Sequence, residues 1–150
     1  MVSFKRQYPH FLFPGSNQKE HSLPKSLYDR VVYSIDTLNP ITWISTLRFI
    51  LKEKPDLCVF KYWHFYFTPT YLFLLFFLKM TKIKLTSVVD NLFAHQENFL
   101  YNFLNLLSIK IFFYFINFSV TQSDYVSSQF KKFFPNKLEI MLAHPIYDIF

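Results

Sequence analysis

The stretch Lys84-Leu-Thr-Ser-Val-Val-Asp-Asn-Leu-Phe-Ala-His-Gln-Glu97 decides the fold, because an apolar run, Leu85 to Val89, passes straight into the polar residues Asp90, Asn91, His95 and Glu97. A short apolar run with β-branched side chains, bounded by polar residues, reads as a strand buried on both faces. In open parallel sheets, ligands bind beyond the carboxyl ends of the strands, so the loop that begins at Asp90 is the first place to look for function. A carboxylate and an imidazole can each take a proton from an alcohol near neutral pH, which suits Asp90 and His95 to base chemistry and Asn91 to hydroxyl binding. The plainer reading of the same residues is an Asx-type turn capping the next helix. Both readings stand on the sequence alone.

Outward from this strand, apolar runs alternate with helical patterns. Upstream, Leu57-Cys-Val-Phe60 is a second short apolar run, and it too reads as a strand covered on both faces. Between the two, Phe65 to Lys79 reads as a helix entered through Thr68-Pro69. Downstream, Asn98 to Asn117 reads as a long helix that becomes apolar nearly all round in its second half; such a helix lies against a sheet, another domain or lipid. Phe118 to Thr121 is a third strand. Ser123-Asp124 caps a helix with Val126, Phe130 and Phe133 inward and Ser127, Ser128, Lys131 and Lys132 outward, and Pro135 ends it. Leu138 to Leu142 is a last strand. On the amino-terminal side, Asn39-Pro40 opens an amphipathic helix on Ile41, Ile44, Leu47, Ile50 and Leu51 that Pro55 stops, whereas residues 5 to 30 read as a long loop. Strand and helix alternate throughout, so the fold class is α/β: a Rossmann-like, mostly parallel, doubly wound sheet with flanking helices.

Composition narrows the function classes. The 150 residues suffice for one ordinary domain with a core. With Gly15 the single glycine, the chain carries no Gly-rich phosphate loop, no dinucleotide-binding fingerprint and no nucleophile elbow, and there is no His-Glu-x-x-His. Cys58 is the one cysteine, which excludes an internal disulfide framework and a cysteine-based metal site and fits a reducing cytosol. A metal at His64, Asp90 and His95 matches no known ligand set, so no metal is expected. The net charge of +6 suits an anionic partner. Nucleic acid is a poor fit, because no nucleic-acid-binding motif accompanies the charge. Lys79, Lys82 and Lys84 beside an aromatic helix suit an anionic membrane surface, though a charge run is as readily a solvated face. The amino terminus has no signal-peptide pattern.

Three further residues follow the strand at Leu57 to Phe60: Tyr62, Trp63 and His64 offer aromatic faces and an imidazole at the same carboxyl edge as Asp90, a combination that suits a sugar ring. Packing of the next helix is the plainer reading. His144, before Pro145, leaves the last strand at that edge too, where a His-Pro turn is as often a simple chain reversal.

Taken in order, these motifs resemble the amino-terminal half of GT-B glycosyltransferases of the family-4 type, which build surface polysaccharides and glycolipids. The resemblance covers nearly the whole chain. Phe4-Lys-Arg-Gln-Tyr-Pro9 with Leu12-Phe-Pro-Gly15 looks like the loop after the second strand in one branch of that family, and Ile35-Asp-Thr-Leu-Asn-Pro-Ile-Thr-Trp43 looks like its Asp-Ser-Leu-Asn-Pro helix start. Lys54-Pro-Asp-Leu57 through Tyr62-Trp-His64 is similar to its Lys-Pro-Asp-Leu strand with a Trp-Trp-His ending, and His144-Pro-Ile-Tyr-Asp148 is similar to its hinge approach. The family's His-Asn and Pro-His-Glu positions correspond to Asp90-Asn91 and Ala94-His95-Gln96, so that Asn91 and His95 match while Asp90 and Gln96 depart.

The resemblance implies a partial GT-B amino-terminal domain over 1–150. The family's first strand and Gly-rich turn, and its carboxy-terminal donor domain, are then expected to be missing. It implies an acceptor that is a sugar or lipid-linked sugar, no bound cofactor of its own, a nucleotide-sugar donor for the full-length family, and a chain inactive alone. It places Asp90, Asn91 and His95 at the chemistry and Tyr62, Trp63, His64 and His144 at the substrate. The location it implies is cytoplasmic and peripheral on the inner face of the membrane. Two other readings stay open: a small membrane protein with apolar helices over 62–78 and 99–120, and a non-catalytic module that pairs with a separately encoded donor domain.

Overall fold

The structure is a computed structural model that describes residues 1–8, 31–62, 64–92 and 99–142. It divides into two compact units, Met1–Lys54 and Pro55–Phe150.

In the first unit, β1 (Val2–Arg6) and β2 (Val32–Asp36) pair in parallel as a two-stranded sheet. Neither strand is expected from the sequence: Lys5 and Arg6 fall in the stretch read as loop, and Val32–Asp36 carries no sustained apolar run. Long-range pairing supplies what local pattern lacks. Arg6 grips Asp36 through two contacts, Nε to Oδ1 at 2.9 Å and Nη2 to Oδ2 at 2.7 Å, the bidentate geometry that makes arginine–carboxylate pairs directional. Helix α1 (Pro40–Glu53) then starts as its sequence predicts. Asn39 Oδ1 accepts from the Ile41 amide at 3.1 Å, and Pro40 occupies a first-turn position where no amide partner is needed. The Trp43 indole donates to the Asp36 carbonyl at 2.8 Å, and the Ser34 and Thr46 hydroxyls meet at 2.8 Å, so α1 is tied to β2 by polar contacts. It ends at Lys54, in the left-handed region at φ 49°, with Pro55 following.

The second unit is a four-stranded parallel sheet in the order β3 (Leu57–Tyr62), β4 (Lys84–Val89), β5 (Phe118–Thr121), β6 (Leu138–Met141). A 3-10 turn (Phe65–Phe67) and α2 (Thr68–Lys79) connect the first pair, α3 (Phe99–Phe115) lies between β4 and β5, and α4 (Asp124–Phe133) between β5 and β6. The α/β class, the parallel sheet and the flanking helices therefore agree with the sequence reading. Among the described residues of this unit the strand order runs one way, β3-β4-β5-β6.

The layer over this sheet is aromatic. The Phe60 ring meets Tyr71 of α2 at 5.7 Å and Phe112 of α3 at 6.4 Å, both edge-on, and Phe113 of α3 meets Phe130 of α4 edge-on at 5.1 Å. One chain of rings thus joins a strand to all three helices, which places them in a single layer. Leu74, Leu75, Leu78, Leu85, Ile109 and Ile116 close the space around the rings. Rings packed edge-on gain beyond the area they bury. Register is pinned by Asn117, whose side chain accepts from the Leu85 amide at 2.9 Å while its own amide donates to the Leu85 carbonyl at 2.8 Å.

One expectation is corrected here. β4 is buried at Leu85, Thr86, Ser87 and Val89, as a strand covered on both faces should be. β3 is not: Cys58, Phe60 and Tyr62 turn to the helix layer, whereas Leu57 and Val59 are exposed. β3 is the terminal strand of its sheet among the described residues, and its outward alternate residues have no covering layer there.

Candidate functional site at the carboxyl edge of the sheet

Parallel pairing places Tyr62 opposite Val89, so β3 and β4 end level with one another. The residues that follow, His64 on one side and Asp90 and Asn91 on the other, are therefore brought to one edge. Trp63, His95 and His144 lie outside the described residues.

Asp90 stands one residue past the end of β4. Its Oδ2 is 2.7 Å from Lys61 Nζ. Lys61 alternates with Phe60 and Tyr62, so it leaves β3 on the side away from the helices, and Asp90 meets it there. The pair is partly exposed and is worth under about 1 kcal/mol to stability. Its consequence is local. The lysine fixes one carboxylate oxygen, while Oδ1 is shut off from solvent and has no hydrogen-bond partner among the described residues. A buried acceptor without a donor is costly. Asn91 is exposed beside it.

His64 caps the 3-10 turn. Its Nδ1 accepts from the Tyr66 amide at 3.1 Å, so a neutral ring carries its proton on Nε2, which lies 3.0 Å from the Tyr101 hydroxyl on α3 and donates to it. Its ring stacks on Phe65 at 4.7 Å. Burial lowers the His64 pKa, which favours this neutral form, and burial raises that of Tyr101. Both ring nitrogens are thus engaged, which makes His64 an organiser of the loop.

Tyr62 lies deeper. It is 1% exposed, with its ring 4.7 Å from Phe112 and 5.9 Å from Phe113, so it offers no face for a sugar to stack on. Burial pushes its pKa up to about 12; the nearby Thr68 hydroxyl opposes the rise and Tyr101 adds to it. Even so, neither Tyr62 Oη nor Thr68 Oγ1 completes a hydrogen bond among the described residues.

Sequence reasoning missed three residues. Lys61 was legible in principle, since strand alternation puts it on the face opposite Tyr62 and level with the end of the neighbouring strand. Tyr101, 37 residues from its histidine partner, and Asn105, whose buried amide donates to the Leu92 carbonyl at 3.4 Å, carry no local signal. Among the described residues, no group of three or more His, Cys, Asp or Glu side chains could hold a metal ion.

Comparison with known proteins returns no matching family model, no matching curated protein and no matching solved structure.

Proposed function

We propose that the carboxyl edge of β3 and β4 is the acceptor-side wall of a glycosyl-transfer site, with Asp90 and Asn91 as its hydroxyl-binding groups. Asp90 carries the reading: a partly exposed carboxylate, held through Oδ2 by Lys61, at the edge where an α/β sheet receives its ligand. The resemblance of the motif order to family-4-type glycosyltransferases supports Asn91 at this edge, while Asp90 stands where that family has His. His64 and Tyr101 hold the neighbouring loop, and the resemblance assigns His95, outside the described residues, to take a proton from the acceptor hydroxyl.

On this reading the chain receives a sugar or lipid-linked sugar and leaves the nucleotide-sugar donor to another domain or partner. Purified chain mixed with common nucleotide sugars and a lipid-linked saccharide should show neither turnover nor tight nucleotide binding. Donor turnover or tight nucleotide binding by this chain alone would overturn the division of labour.

The membrane-hairpin reading has less support. No described helix is long and apolar enough to cross a membrane. The apolar stretch 62–78 is shared among the end of β3, a 3-10 turn and α2, and 99–120 between α3 and β5.

A further inference from the structure

The three helices of the second unit share one layer but differ on their outward sides. α4 shows solvent Ser128, Lys131 and Lys132. α3 instead exposes Leu100, Phe103, Leu104, Leu107, Ile111 and Tyr114, which recur at helical spacing opposite the buried Asn105, Ile109, Phe112 and Phe113. Tyr114 is 74% exposed. α2, packed beside α3, adds Phe76, Phe77 and Met80, the last just beyond its end. A stripe of this extent, running the 17 residues of α3 and continued on a second helix, is larger than the scattered apolar residues of an ordinary surface.

The charge around it has one sign. α2, the turn at 80–83 and α3 contain no Asp or Glu, while Lys79, Lys82 and Lys110 stand on them. Lys79 Nζ donates to the Phe115 carbonyl at 3.2 Å, and Lys137 Nζ to the Ile116 carbonyl at 2.8 Å, so two ammonium groups gather at the carboxyl end of α3 beside Tyr114. Burial and the nearness of Lys79 both lower the Lys137 pKa, as expected for cations held together.

We propose that the outward faces of α2 and α3 form a docking surface for an anionic lipid bilayer, with Leu107, Ile111, Phe103 and Phe76 entering the interface and Lys79, Lys82, Lys110 and Lys137 meeting the headgroups. Apolar side chains flanked by lysines, on helices that carry no Asp or Glu, complement a bilayer surface, which offers hydrocarbon and negative charge together. A protein partner would need its own negative rim to match, and a second copy of this face would bring like charges together. The surface stands independently of the acceptor reading.

Full-length chain sedimented with vesicles of phosphatidylcholine containing phosphatidylglycerol should bind, bind pure phosphatidylcholine far more weakly, and lose affinity on going to about 1 M salt. Lys82→Glu with Lys110→Glu should weaken binding about tenfold or more. Leu107→Gln with Ile111→Gln should abolish it, with far-UV circular dichroism unchanged because these side chains are exposed. Lys132→Glu on α4 should leave it near the wild-type level. No sedimentation with anionic vesicles, binding that ignores lipid charge, binding that survives both pairs of substitutions, or a stable dimer that dissociates on Leu107→Gln would each overturn the proposal.

Discussion

At the residue scale, two polar groups among the described residues, the half-buried His64 and Glu139 beside Lys131, have shifted pKa values that link stability to pH. His64 has its folded pKa lowered by burial, below the ordinary 6.5, so the unfolded chain binds the extra proton first. The stability it contributes is complete above the ordinary histidine range, falls as pH drops through that range, and levels off below the lowered folded value. Urea midpoints between pH 8 and pH 5 should fall for the wild type and fall less for His64→Gln; equal slopes would remove His64 from the account.

Glu139 follows the opposite chemistry. Burial pushes its pKa up, but hydrogen bonds from Thr121, Ser127 and Lys131 and the Lys131 charge outweigh it and hold the carboxylate below its ordinary 4.5. Its contribution is present above the ordinary carboxylate range and is lost as pH falls through the lowered folded value. Glu139→Gln is expected to cost about 1–3 kcal/mol, since it weakens a buried network. Lys131→Gln, at the exposed end of the same pair, should cost under about 1 kcal/mol. Thermal melts of both variants check the ranking. Neither Glu139 nor the His64–Tyr101 bond was legible in the sequence, because each depends on neighbours that the sheet or the helix layer brings together.

At the element scale, what was legible follows from local physics. β4 could be read from Leu85 to Val89 because a central strand takes small, β-branched and apolar residues that can be buried on both sides, and α1 and α4 because Asn39-Pro40 and Ser123 satisfy first-turn amides. β1 and β2 are short, carry polar residues, and pair over a separation that no local pattern reports. β3 was recognised as a strand but not as a terminal one, since Leu57-Cys-Val-Phe60 looks the same whether or not a layer covers Leu57 and Val59. The ring cluster makes a sharp prediction here. Phe112 touches Phe60, Tyr62 and Tyr71 at once, so Phe112→Ala should cost about 3–5 kcal/mol and unfold β3 and α2 together. Hydrogen exchange at Phe60 and Leu75 amides reads this directly; protection kept in the variant would contradict the cluster's role.

At the scale of the whole molecule, the second unit is a parallel sheet with one aromatic helix layer, a polar carboxyl edge and an apolar, lysine-ringed outer surface on α2 and α3. The candidate site was half legible: Asp90, Asn91 and His64 were read from their place after strands, whereas Lys61 and Tyr101, which fix Asp90 and His64, were not. The central claim of the proposed function is that the partly exposed Asp90 carboxylate, held by Lys61, binds an acceptor hydroxyl. The most direct test is an amide NMR titration of the full chain with a soluble lipid-linked saccharide analogue, comparing wild type with Asp90→Asn. The account predicts saturable shifts at Lys61, Asp90 and Asn91 that are lost or weakened at least about tenfold in Asp90→Asn, without loss of fold. Shifts confined to other parts of the chain, or unchanged affinity in Asp90→Asn, would contradict it.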